Sequence, residues 1–368
     1  MACRPASSAR ARARLSKARA YGNAGEDAPE KATEDADETM RRGTTRRYKV
    51  TLLGLGTMGQ RHARILKALE AHFDLAGAYD PNPAAATPEG TTRLGSEAEA
   101  LSRAELVVVA TPIDTHMGLV GRALAAGRHV FVEKPACSTA TEARSALAMA
   151  RAGAHLFVGH SERFNPVVRA LAKLVRDERV LAIDLRRVGT SRPCASGVLV
   201  NLGVHDFDLA TYLGGGEVTL RGAVGSGPSA APGPDAAHVV FSTAAGAVGH
   251  IHVDRAAPTR QRAIELVTAR WVYEGDLLAH RLVRIARSGP GRAARADVPL
   301  PIDEPLAAQA AAMAHALEGG AAREIAMGDD GVRALELAER AGVLCKWAEA
   351  WSASGDPAEN LSVDARRC

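Results

Sequence analysis

The sequence predicts an α/β fold in which an N-terminal doubly wound parallel sheet is followed by a C-terminal α+β domain with a mostly antiparallel sheet. Two observations lead to this prediction. From residue 47 to about residue 160, short apolar runs alternate with amphipathic helical patterns, as in a parallel sheet covered on both faces. Beyond His160, strand patterns follow one another without helices between them, which is typical of antiparallel pairing.

The N-terminal part begins with the buried strand pattern YKVTLL, which runs into a glycine-rich loop and an amphipathic helix. The PNP segment after Asp80 ends the second strand, because proline cannot continue a ladder. Gly127 marks the end of the helix that starts near His116. The remaining patterns are the strands FDLAGAYD, ELVVVATP, HVFVEKP and HLFVGH and the helices SEAEALSRA, THMGLVGRALAAG and TATEARSALAMARAG.

The C-terminal part opens with the helix PVVRALAKLVRDER and the alternating strand VLAIDLRRVG. Further strand candidates are GEVTLRGAVGS, AHVVFSTAAGAVGHIHVD, RAIELVTARWVYEGD and RLVRIAR. Two helices, EPLAAQAAAMAHALEG and GDDGVRALELAERAGVLCKWAEAW, close the chain, and we expect them to fold back on the first domain. The predicted organisation is a domain at 47–160 and a second domain at 161–355, with tails at 1–46 and 356–368.

Length, charge and cysteine content limit the classes of protein to consider. A chain of 368 residues is long enough for two domains. The net charge is +4, and much of the positive charge lies in the N-terminal tail, so we expect no nucleic-acid partner. No apolar run approaches the ~20 residues that cross a bilayer, so we expect no membrane partner. The five cysteines lack CxxC spacing, which favours a reducing cytoplasm over a disulfide framework or a zinc site.

The first 46 residues have no hydrophobic periodicity, and we predict that they are disordered. Their basic segment loosely resembles an organellar transit peptide, but an acidic block follows it and argues against that interpretation. A second interpretation is that Met40 is the true start. A third is a tail that binds DNA, which predicts salt-dependent binding that is lost when residues 1–40 are removed.

The segment GLGTMG after the first strand has the GxGxxG spacing of a dinucleotide-binding loop, and it lies between a strand and a helix as that motif requires. Gly54 would permit the tight turn, Gly56 the approach of the backbone to a pyrophosphate, and Gly59 close packing of helix and strand. Thr57 and Met58 lie at the helix N-terminus, where backbone N–H groups and the dipole favour an anion. The loop therefore predicts a dinucleotide cofactor.

Asp80 ends the second strand, 21 positions after Gly59. An acid there can accept hydrogen bonds from the adenine ribose hydroxyls and would repel a 2′-phosphate, so we expect NAD rather than NADP. The alternative is that Asp80 only starts the turn DPNP. Thr111, Pro112 and His116 follow the third strand at the same edge of the sheet and are candidates to border the cofactor. The alternative for His116 is a helix-start residue without a ligand.

The strand HVFVEKP ends in Glu133, Lys134 and Pro135 at this same edge, and Glu133 is a further candidate cofactor contact. Lys134 would face the crevice where a nicotinamide lies. A lysine there can hold a substrate hydroxyl and lower its pKa while hydride leaves the carbon. Pro135 restricts the preceding lysine, and an X–Pro bond can hold it in a cis peptide. The alternative for Lys134 is a solvated loop residue that pairs with Glu133.

Four segments together resemble the Gfo/Idh/MocA (glucose–fructose oxidoreductase / inositol dehydrogenase) family: the GxGxxG after a strand, ATPIDTH, AGRHVFVEKP and GVLVNLGVHDFDL. The resemblance covers about residues 47–355 and implies a Rossmann domain followed by an α+β domain. It implies NAD(P)-dependent hydride transfer at a sugar or polyol carbon, with Lys134 and His205 in the positions of the usual catalytic pair. It also implies a homodimer or homotetramer that pairs through the open sheet face.

In the mechanism that this resemblance implies, His205 takes the hydroxyl proton while Lys134 stabilises the same oxygen. The family usually carries an aspartate four residues before this histidine, where this chain has Asn201. Asparagine can orient the ring but brings no charge that would raise its pKa. Asp206 or Asp208 could supply that charge. If neither aspartate does so, His205 should be a weaker base. The limb of the pH–rate profile that reports its protonation should then lie at lower pH.

A narrower resemblance concerns VGHSERFNPVVRAL, which is similar to the GHxERFNP stretch of a branch like the UDP-N-acetylglucosamine 3-dehydrogenases. It implies that Arg163 and Asn165 line the site near the cofactor and contact substrate. Asp208 is a further candidate substrate contact. From the residues alone, Asn165 caps a helix and Pro166 takes its first position. A nucleotide-sugar diphosphate would need one or two cations from the second domain. The candidates are Arg163, Arg186, Arg187, Arg192, Arg255 and Arg262.

Other interpretations stay open at this point. One is a free-sugar, inositol or dihydrodiol dehydrogenase of the same family. Another is a regulator that binds a dinucleotide without turnover, although Lys134 and His205 argue against it. A metal site at His205 is poorly supported, because no second histidine lies at helical spacing and hydride transfer needs no metal. We expect Gly203 to let the chain turn into a helix whose first turn carries His205.

Overall fold

The computed structural model describes residues 46–190, 196–226, 233–287 and 294–353, with side chains as far as Cys345. Nearly all of the two predicted tails lies outside these ranges. The described strands form two sheets, one of six strands and one of eight. Within the same ranges, no helix combines the length and the apolar character that a membrane span requires.

The six-stranded sheet is the predicted N-terminal parallel sheet. Its parallel strands are β1 (Tyr48–Leu53), β2 (Phe73–Tyr79), β3 (Leu106–Val109), β4 (His129–Val132) and β5 (Leu156–Val158). A sixth strand, β14 (Ala326–Met327), returns from late in the chain and pairs antiparallel with β5. The order β14-β5-β4-β3-β1-β2 changes direction between β1 and β3, and ligands of open α/β sheets bind at such a switch point.

Helices cover both faces of this sheet. On one face lie α1 (Thr57–Ala68) and the late helix α7 (Pro305–Leu317). On the other lie α2 (Glu97–Arg103), α3 (His116–Ala125) and α4 (Ala140–Ala148). Every residue of β3 is buried as a result, which explains its continuous apolar sequence.

The eight-stranded sheet has the order β13-β12-β11-β10-β6-β9-β8-β7, and all neighbours are antiparallel except β6 and β9. Its strands are β6 (Val180–Val188), β7 (Val218–Ser226), β8 (Ala236–Thr243), β9 (Val248–Asp254), β10 (Gln261–Thr268), β11 (Trp271–Asp276), β12 (Arg281–Ala286) and β13 (Arg295–Asp297). One face packs against α5 (Pro166–Leu174), α6 (Val204–Leu213) and α8 (Gly328–Ala353). The other face is open.

The last helices return to the first sheet, as the sequence predicts. The buried residues Ala310 and Met313 of α7 belong to the same apolar core as Val50 and Ile65. The long helix α8 contacts both α4 and β7, so it touches elements from both sheets. These late elements hold the carboxyl edge of the parallel sheet beside the second sheet.

Two features differ from the sequence prediction. The strands β13 and β14 were not predicted, because segments of three and two residues have no periodicity to detect. The helix of His205 also does not begin at Gly203. A π-helical turn at Leu199–Gly203 leads directly into α6, and Gly203 has the helical angles φ −63° and ψ −28°. The expectation that Gly203 turns the chain into a helix is therefore wrong.

Candidate active site at the carboxyl edge of the parallel sheet

The loop after β1 lies at the switch point, and the packing requires two of its glycines. Gly54 has a φ of +92°, and a Cβ there would lie 2.5 Å from the carbonyl oxygen of Ala110. A Cβ on Gly59 would lie 2.0 Å from the carbonyl oxygen of Gly54. The loop and α1 can therefore approach the sheet this closely only with glycine at both positions.

Gly56 differs from these two glycines because it faces open space. Its φ is −70°, and no heavy atom lies within 4 Å of a Cβ built there. Gly56 is also the N-cap of α1, and it provides no side-chain cap for the helix. The first N–H groups of a helix, here including Thr57 and Met58, have no intrahelical acceptor. Bare backbone beside such N–H groups fits the pyrophosphate of a dinucleotide.

A cavity of about 820 Å³ extends from this loop along the carboxyl edge of the sheet. Seven of the predicted cofactor residues line it: Gly54, Gly56, Thr57, Met58, Asp80, Thr111 and Pro112. The Asp80 carboxylate accepts hydrogen bonds from the backbone N–H groups of Leu55 at 2.8 Å and Asn82 at 2.9 Å. These bonds hold the carboxylate at the end of β2, on the wall of the cavity.

His116 is buried, and the backbone holds its ring on both sides. Its Nδ1 lies 3.0 Å from the carbonyl oxygen of Pro135, and its Nε2 lies 2.9 Å from that of Thr111. The ring thus joins the end of β3 to the loop after β4. Since both ring nitrogens face protein atoms, the geometry favours the structural alternative for His116 over a hydrogen bond to the cofactor.

A second cavity of about 620 Å³ adjoins the first and shares Met58, Ala110 and Thr111 with it. Lys134 lines it from the end of β4, and His205 lines it from the first turn of α6. The structure therefore brings the two predicted catalytic side chains, which are far apart in the sequence, to one cavity beside the nucleotide loop.

Backbone contacts fix the surroundings of Lys134. The Lys134–Pro135 peptide bond is cis. The Lys134 Nζ donates a hydrogen bond to the backbone oxygen of Asn201 at 3.2 Å. Glu133 also lines the cavity, and its Oε1 lies 2.7 Å from Nε2 of His62. The Asn201 backbone therefore touches the predicted catalytic lysine, and Glu133 contacts a histidine of α1.

His205 lies among cations. Burial, followed by the positive charges of Lys134 and Arg187, lowers its pKa well below the usual histidine value. Neither predicted aspartate counters this effect. Asp206 accepts two hydrogen bonds from Arg187 Nε and one from its Nη2, at 3.0–3.2 Å, and Asp208 is paired elsewhere. The expectation that Asp206 or Asp208 polarises His205 therefore lacks a geometric basis, and the alternative of a weaker base applies.

Three residues that were expected at the substrate lie behind the cavity wall instead. Arg163 donates to Asp208 at 2.9 and 2.6 Å, and both side chains are at least 96 % buried, with exposures of 4 % and 2 %. Asn165 accepts from the Val167 N–H at 3.1 Å, capping α5, and donates to the Leu277 carbonyl oxygen at 3.0 Å. Buried charges and amides need partners inside the protein, and these partners hold all three away from the cavity.

Four other charged side chains line the same cavity, and the sequence did not single out three of them: Arg61, Glu162 and Glu304, which precedes α7. Arg61 comes from α1, Glu162 precedes α5, and Arg262 comes from β10. Glu162 accepts hydrogen bonds from Arg187 at 3.1 Å and Arg262 at 2.6 Å. The glutamate is part of the ERFNP motif, but its two arginine partners are placed opposite each other by the register of β10 against β6, which no local pattern shows.

The six candidate arginines have different positions. Arg163 and Arg187 are buried in ion pairs, and Arg255 pairs with Asp235. Arg186 is exposed on β6 and donates to Gln261, whereas Arg262 lines the cavity. Arg192 lies outside the described residues.

Across the described ranges, no three His, Cys, Asp or Glu side chains are arranged to hold a metal ion.

The sequence matches two family models. The first, described as "Oxidoreductase family, NAD-binding Rossmann fold", matches residues 48–160. The second, described as "GFO/IDH/MocA C-terminal domain", matches residues 181–272. The two stretches together make up more than half of the 368 residues.

Two curated relatives match about half of the chain. Inositol 2-dehydrogenase of Rhizobium meliloti (strain 1021) is 32% identical over 191 residues, which are 47% of this chain and 58% of that protein. UDP-N-acetylglucosamine 3-dehydrogenase of Acidithiobacillus ferrooxidans is 30% identical over 181 residues, which are 47% of this chain and 56% of that protein. The chain thus spans less than two thirds of the length of either relative.

Solved structures share the whole fold. That of UDP-N-acetylglucosamine 3-dehydrogenase GnnA from Acidithiobacillus ferrooxidans has a TM-score of 0.73 at 24% identity and covers 82% of this chain and 99% of its own. Levoglucosan dehydrogenase in complex with NADH and levoglucosan has a TM-score of 0.70 at 20% identity and covers 83% and 98%. The fold and the two family models together show that the chain belongs to the Gfo/Idh/MocA family of oxidoreductases, with its NAD-binding Rossmann fold.

Proposed function

We propose that the chain is an NAD-dependent oxidoreductase that transfers hydride between a hydroxyl-bearing carbon of a sugar or nucleotide sugar and the nicotinamide. The observation that carries this proposal is the continuity of two cavities. The glycine loop and Asp80 line the first, and Lys134 and His205 line the second. Met58 and Thr111 line both, so a group bound at the junction would lie against cofactor and catalytic side chains together.

The cofactor half of the site supports NAD. When bound, the nicotinamide supplies the acceptor or donor of the hydride. The Asp80 carboxylate, held by the Leu55 N–H at 2.8 Å, can accept hydrogen bonds from ribose hydroxyls and repels a 2′-phosphate. Gly56 leaves room for the pyrophosphate, and the N-terminus of α1 favours its negative charge.

In the catalytic half, His205 is the general base. Because burial and the nearby cations lower its pKa, the ring is neutral at physiological pH and can accept a proton. Its Nδ1 is buried, so Nε2 is the nitrogen available to the substrate hydroxyl in the cavity. Lys134 donates a hydrogen bond to the same oxygen and stabilises the negative charge that develops there. In the reverse direction, His205 returns the proton to the carbonyl oxygen.

Two arginines on the wall can bind the diphosphate of a nucleotide sugar, although the carboxylates of Glu162 and Glu304 line the same cavity. The Arg262 side chain is 29% exposed, and Glu162 holds it at 2.6 Å. Arg61 is exposed on α1. A guanidinium suits phosphate geometry, and the relative named for UDP-N-acetylglucosamine supports the same class. The relative named for inositol supports a free sugar or polyol as the second candidate.

Steady-state kinetics test this proposal. A thermal-shift screen of NAD⁺ with UDP-sugars, free sugars and inositols first identifies a substrate, and NADH formation is then measured. We expect Lys134→Met and His205→Asn each to lower kcat by about 10²- to 10⁴-fold, because proton transfer and electrostatic stabilisation contribute about that much. Lys173→Met, at an exposed lysine of α5, is the matched control and should leave kcat unchanged.

Two results would contradict this assignment. Wild-type turnover in both site variants would remove Lys134 and His205 from the reaction. A protein that binds NAD⁺ but turns over nothing in the panel would favour the alternative of a dinucleotide-binding regulator.

We further propose a homodimer or homotetramer that covers the open face of the eight-stranded sheet. Val224, Val240 and Val248 lie on this face and are 58%, 50% and 59% exposed. Apolar side chains grouped on one face are typical of a surface that another chain covers. The cytoplasmic location and the lack of nucleic-acid and membrane partners stay predictions.

A further inference from the structure

Two buried histidines face each other beside the second cavity. His160 follows β5 and is 1% exposed, and His205 is 9% exposed. Their rings meet edge to face, with centroids 6.3 Å apart and an interplanar angle of 85°. Among the residues that the structure describes, both ring nitrogens of His160 and Nδ1 of His205 are buried without a hydrogen-bond partner. Buried polar atoms nearly always have a hydrogen-bond partner. A single buried water between the two rings would give a partner to one nitrogen of each.

The charged surroundings of His205 oppose a positive charge on its ring. After burial, the groups that lower its pKa are Lys134, Arg187, His160 and Arg262. The carboxylates nearby are held by arginines, since Glu162 accepts from Arg187 and Arg262, and Asp206 accepts from Arg187. An imidazolium confined to His205 would therefore be unstable.

The surroundings of His160 include a carboxylate that favours its cation. The His160 Nδ1 lies 3.9 Å from an Asp208 oxygen, which is too far for a direct hydrogen bond but close enough for charge attraction. Burial lowers the pKa of His160, Asp208 and Asp330 raise it, and Arg163 and Lys134 lower it. The net effect lowers the pKa of His160 below the usual histidine value, and Asp208 also accepts a hydrogen bond from Arg163. The pKa of His205 is lowered further, because the ring is buried and its surroundings are cations.

We propose that His160 is a positioning residue for His205, joined to its Nδ1 through one buried water, and that it receives the proton displaced from that nitrogen. The proposal rests on the proposed function, in which His205 Nε2 takes the proton of the substrate hydroxyl. As the N–H bond at Nε2 forms, the N–H bond at Nδ1 breaks and its proton passes to the water. The water then releases a proton to a ring nitrogen of His160. The charge ends beside Asp208, and no further reactant is required.

This arrangement supplies what Asn201 lacks. An aspartate at that position would stabilise the His205 cation directly, whereas the neutral asparagine cannot. In the proposed relay, a second histidine performs the same task by moving the charge to a ring that has Asp208 and Asp330 near it. The shared water also fixes the plane of the His205 ring, because it gives Nδ1 a hydrogen-bond acceptor.

The test compares His160→Phe with wild type by pH-dependent kinetics. The phenylalanine keeps the ring shape and removes both nitrogens. We expect kcat to fall about 10- to 100-fold with little change in KM, because part of the general-base contribution is lost. We also expect the acid limb of the kcat/KM profile to move to lower pH, because two coupled rings take up their first proton more readily than His205 alone, and the repulsion between them acts only when both are charged. His160→Gln, which still binds the water, should recover part of kcat.

A double mutant separates this role from a packing effect. In His205→Asn/His160→Phe, we expect no loss beyond that of His205→Asn alone, because His160 acts only through His205. His129→Phe, a half-buried histidine of β4, is the control and should leave the pH profile in place. Thermal unfolding and NAD⁺ affinity show whether each variant is folded.

The outcomes distinguish this proposal from the proposed function. Full activity of His205→Asn would overturn the proposed function itself. A strong loss in His205→Asn combined with wild-type kinetics in His160→Phe would overturn only the role of His160. If the loss of kcat in His160→Phe adds in full to that of His205→Asn, or if the acid limb does not move, His160 acts through packing alone. Either result would overturn its role as a positioning residue.

Discussion

The two halves of the site are built in different ways. The nucleotide half consists of glycines, backbone N–H groups and one carboxylate, Asp80, which the backbone holds. The catalytic half depends on side chains. The buried pairs Arg163–Asp208 and Arg187–Asp206 lie behind it, and the Arg262–Glu162 pair is on its wall. The difference follows from the chemistry. A diphosphate binds to bare backbone at a helix terminus, whereas proton transfer requires side chains held at fixed positions.

The two halves also differ in how they tolerate amino-acid substitutions. In the nucleotide half, the protein itself requires Gly54 and Gly59, but only a ligand would require Gly56. In the catalytic half, the charges behind the wall neutralise one another, so removal of one partner leaves another buried without compensation. In the nucleotide half, a substitution can therefore weaken NAD⁺ binding without lowering the stability of the fold. In the catalytic half, a substitution in one of these ion pairs should change both.

The largest effect that we expect is the loss of stability in Arg187→Leu. This change leaves the Asp206 carboxylate buried without its cation and removes one of the two arginines that pair with Glu162. We expect the free energy of unfolding to fall by about 3–5 kcal/mol. Arg186→Leu, at the adjacent exposed position of β6, is the matched control and should cost less than about 0.5 kcal/mol. Denaturant unfolding measures both. Equal losses would mean that the buried pairs do not support the catalytic half.

The next effect contrasts two alanine substitutions in one loop. Gly59→Ala places a Cβ against the Gly54 carbonyl oxygen and should destabilise the fold by about 1–3 kcal/mol. Gly56→Ala meets no protein atom, so we expect normal stability but NAD⁺ affinity at least about tenfold weaker, since the Cβ occupies the space of the pyrophosphate. Thermal unfolding and a binding titration separate the two. Unchanged NAD⁺ affinity in Gly56→Ala would place the pyrophosphate elsewhere.

The smallest effect concerns cofactor preference. Asp80→Ala should reduce the selectivity for NAD⁺ over NADP⁺ by about tenfold, because the 2′-phosphate is no longer repelled. Asp80→Asn keeps an acceptor for the Leu55 N–H and controls for a change in loop structure. The ratio of kcat/KM values for the two cofactors measures the preference. An unchanged ratio in Asp80→Ala would remove this residue from the ribose site.

The sequence alone predicted the parts of the molecule that depend on local pattern. The alternation of strands and helices and the glycine loop with Asp80 after the next strand are visible because each depends on residues close together in the chain. The resemblance of four segments to one family added Lys134 and His205 as a pair. The structure places both on one cavity.

Tertiary structure alone decided how charges and histidines meet. Arg163 and Asp208 pair with each other behind the wall, Arg262 reaches the cavity, and His160 faces His205. In the sequence, His160 ends a strand and lies in the VGHSERFNPVVRAL motif, but neither pattern assigns it a role. Such contacts depend on the register of β10 against β6 and on the approach of α6 to the end of β5. Long-range packing sets both, and no short segment of sequence encodes them.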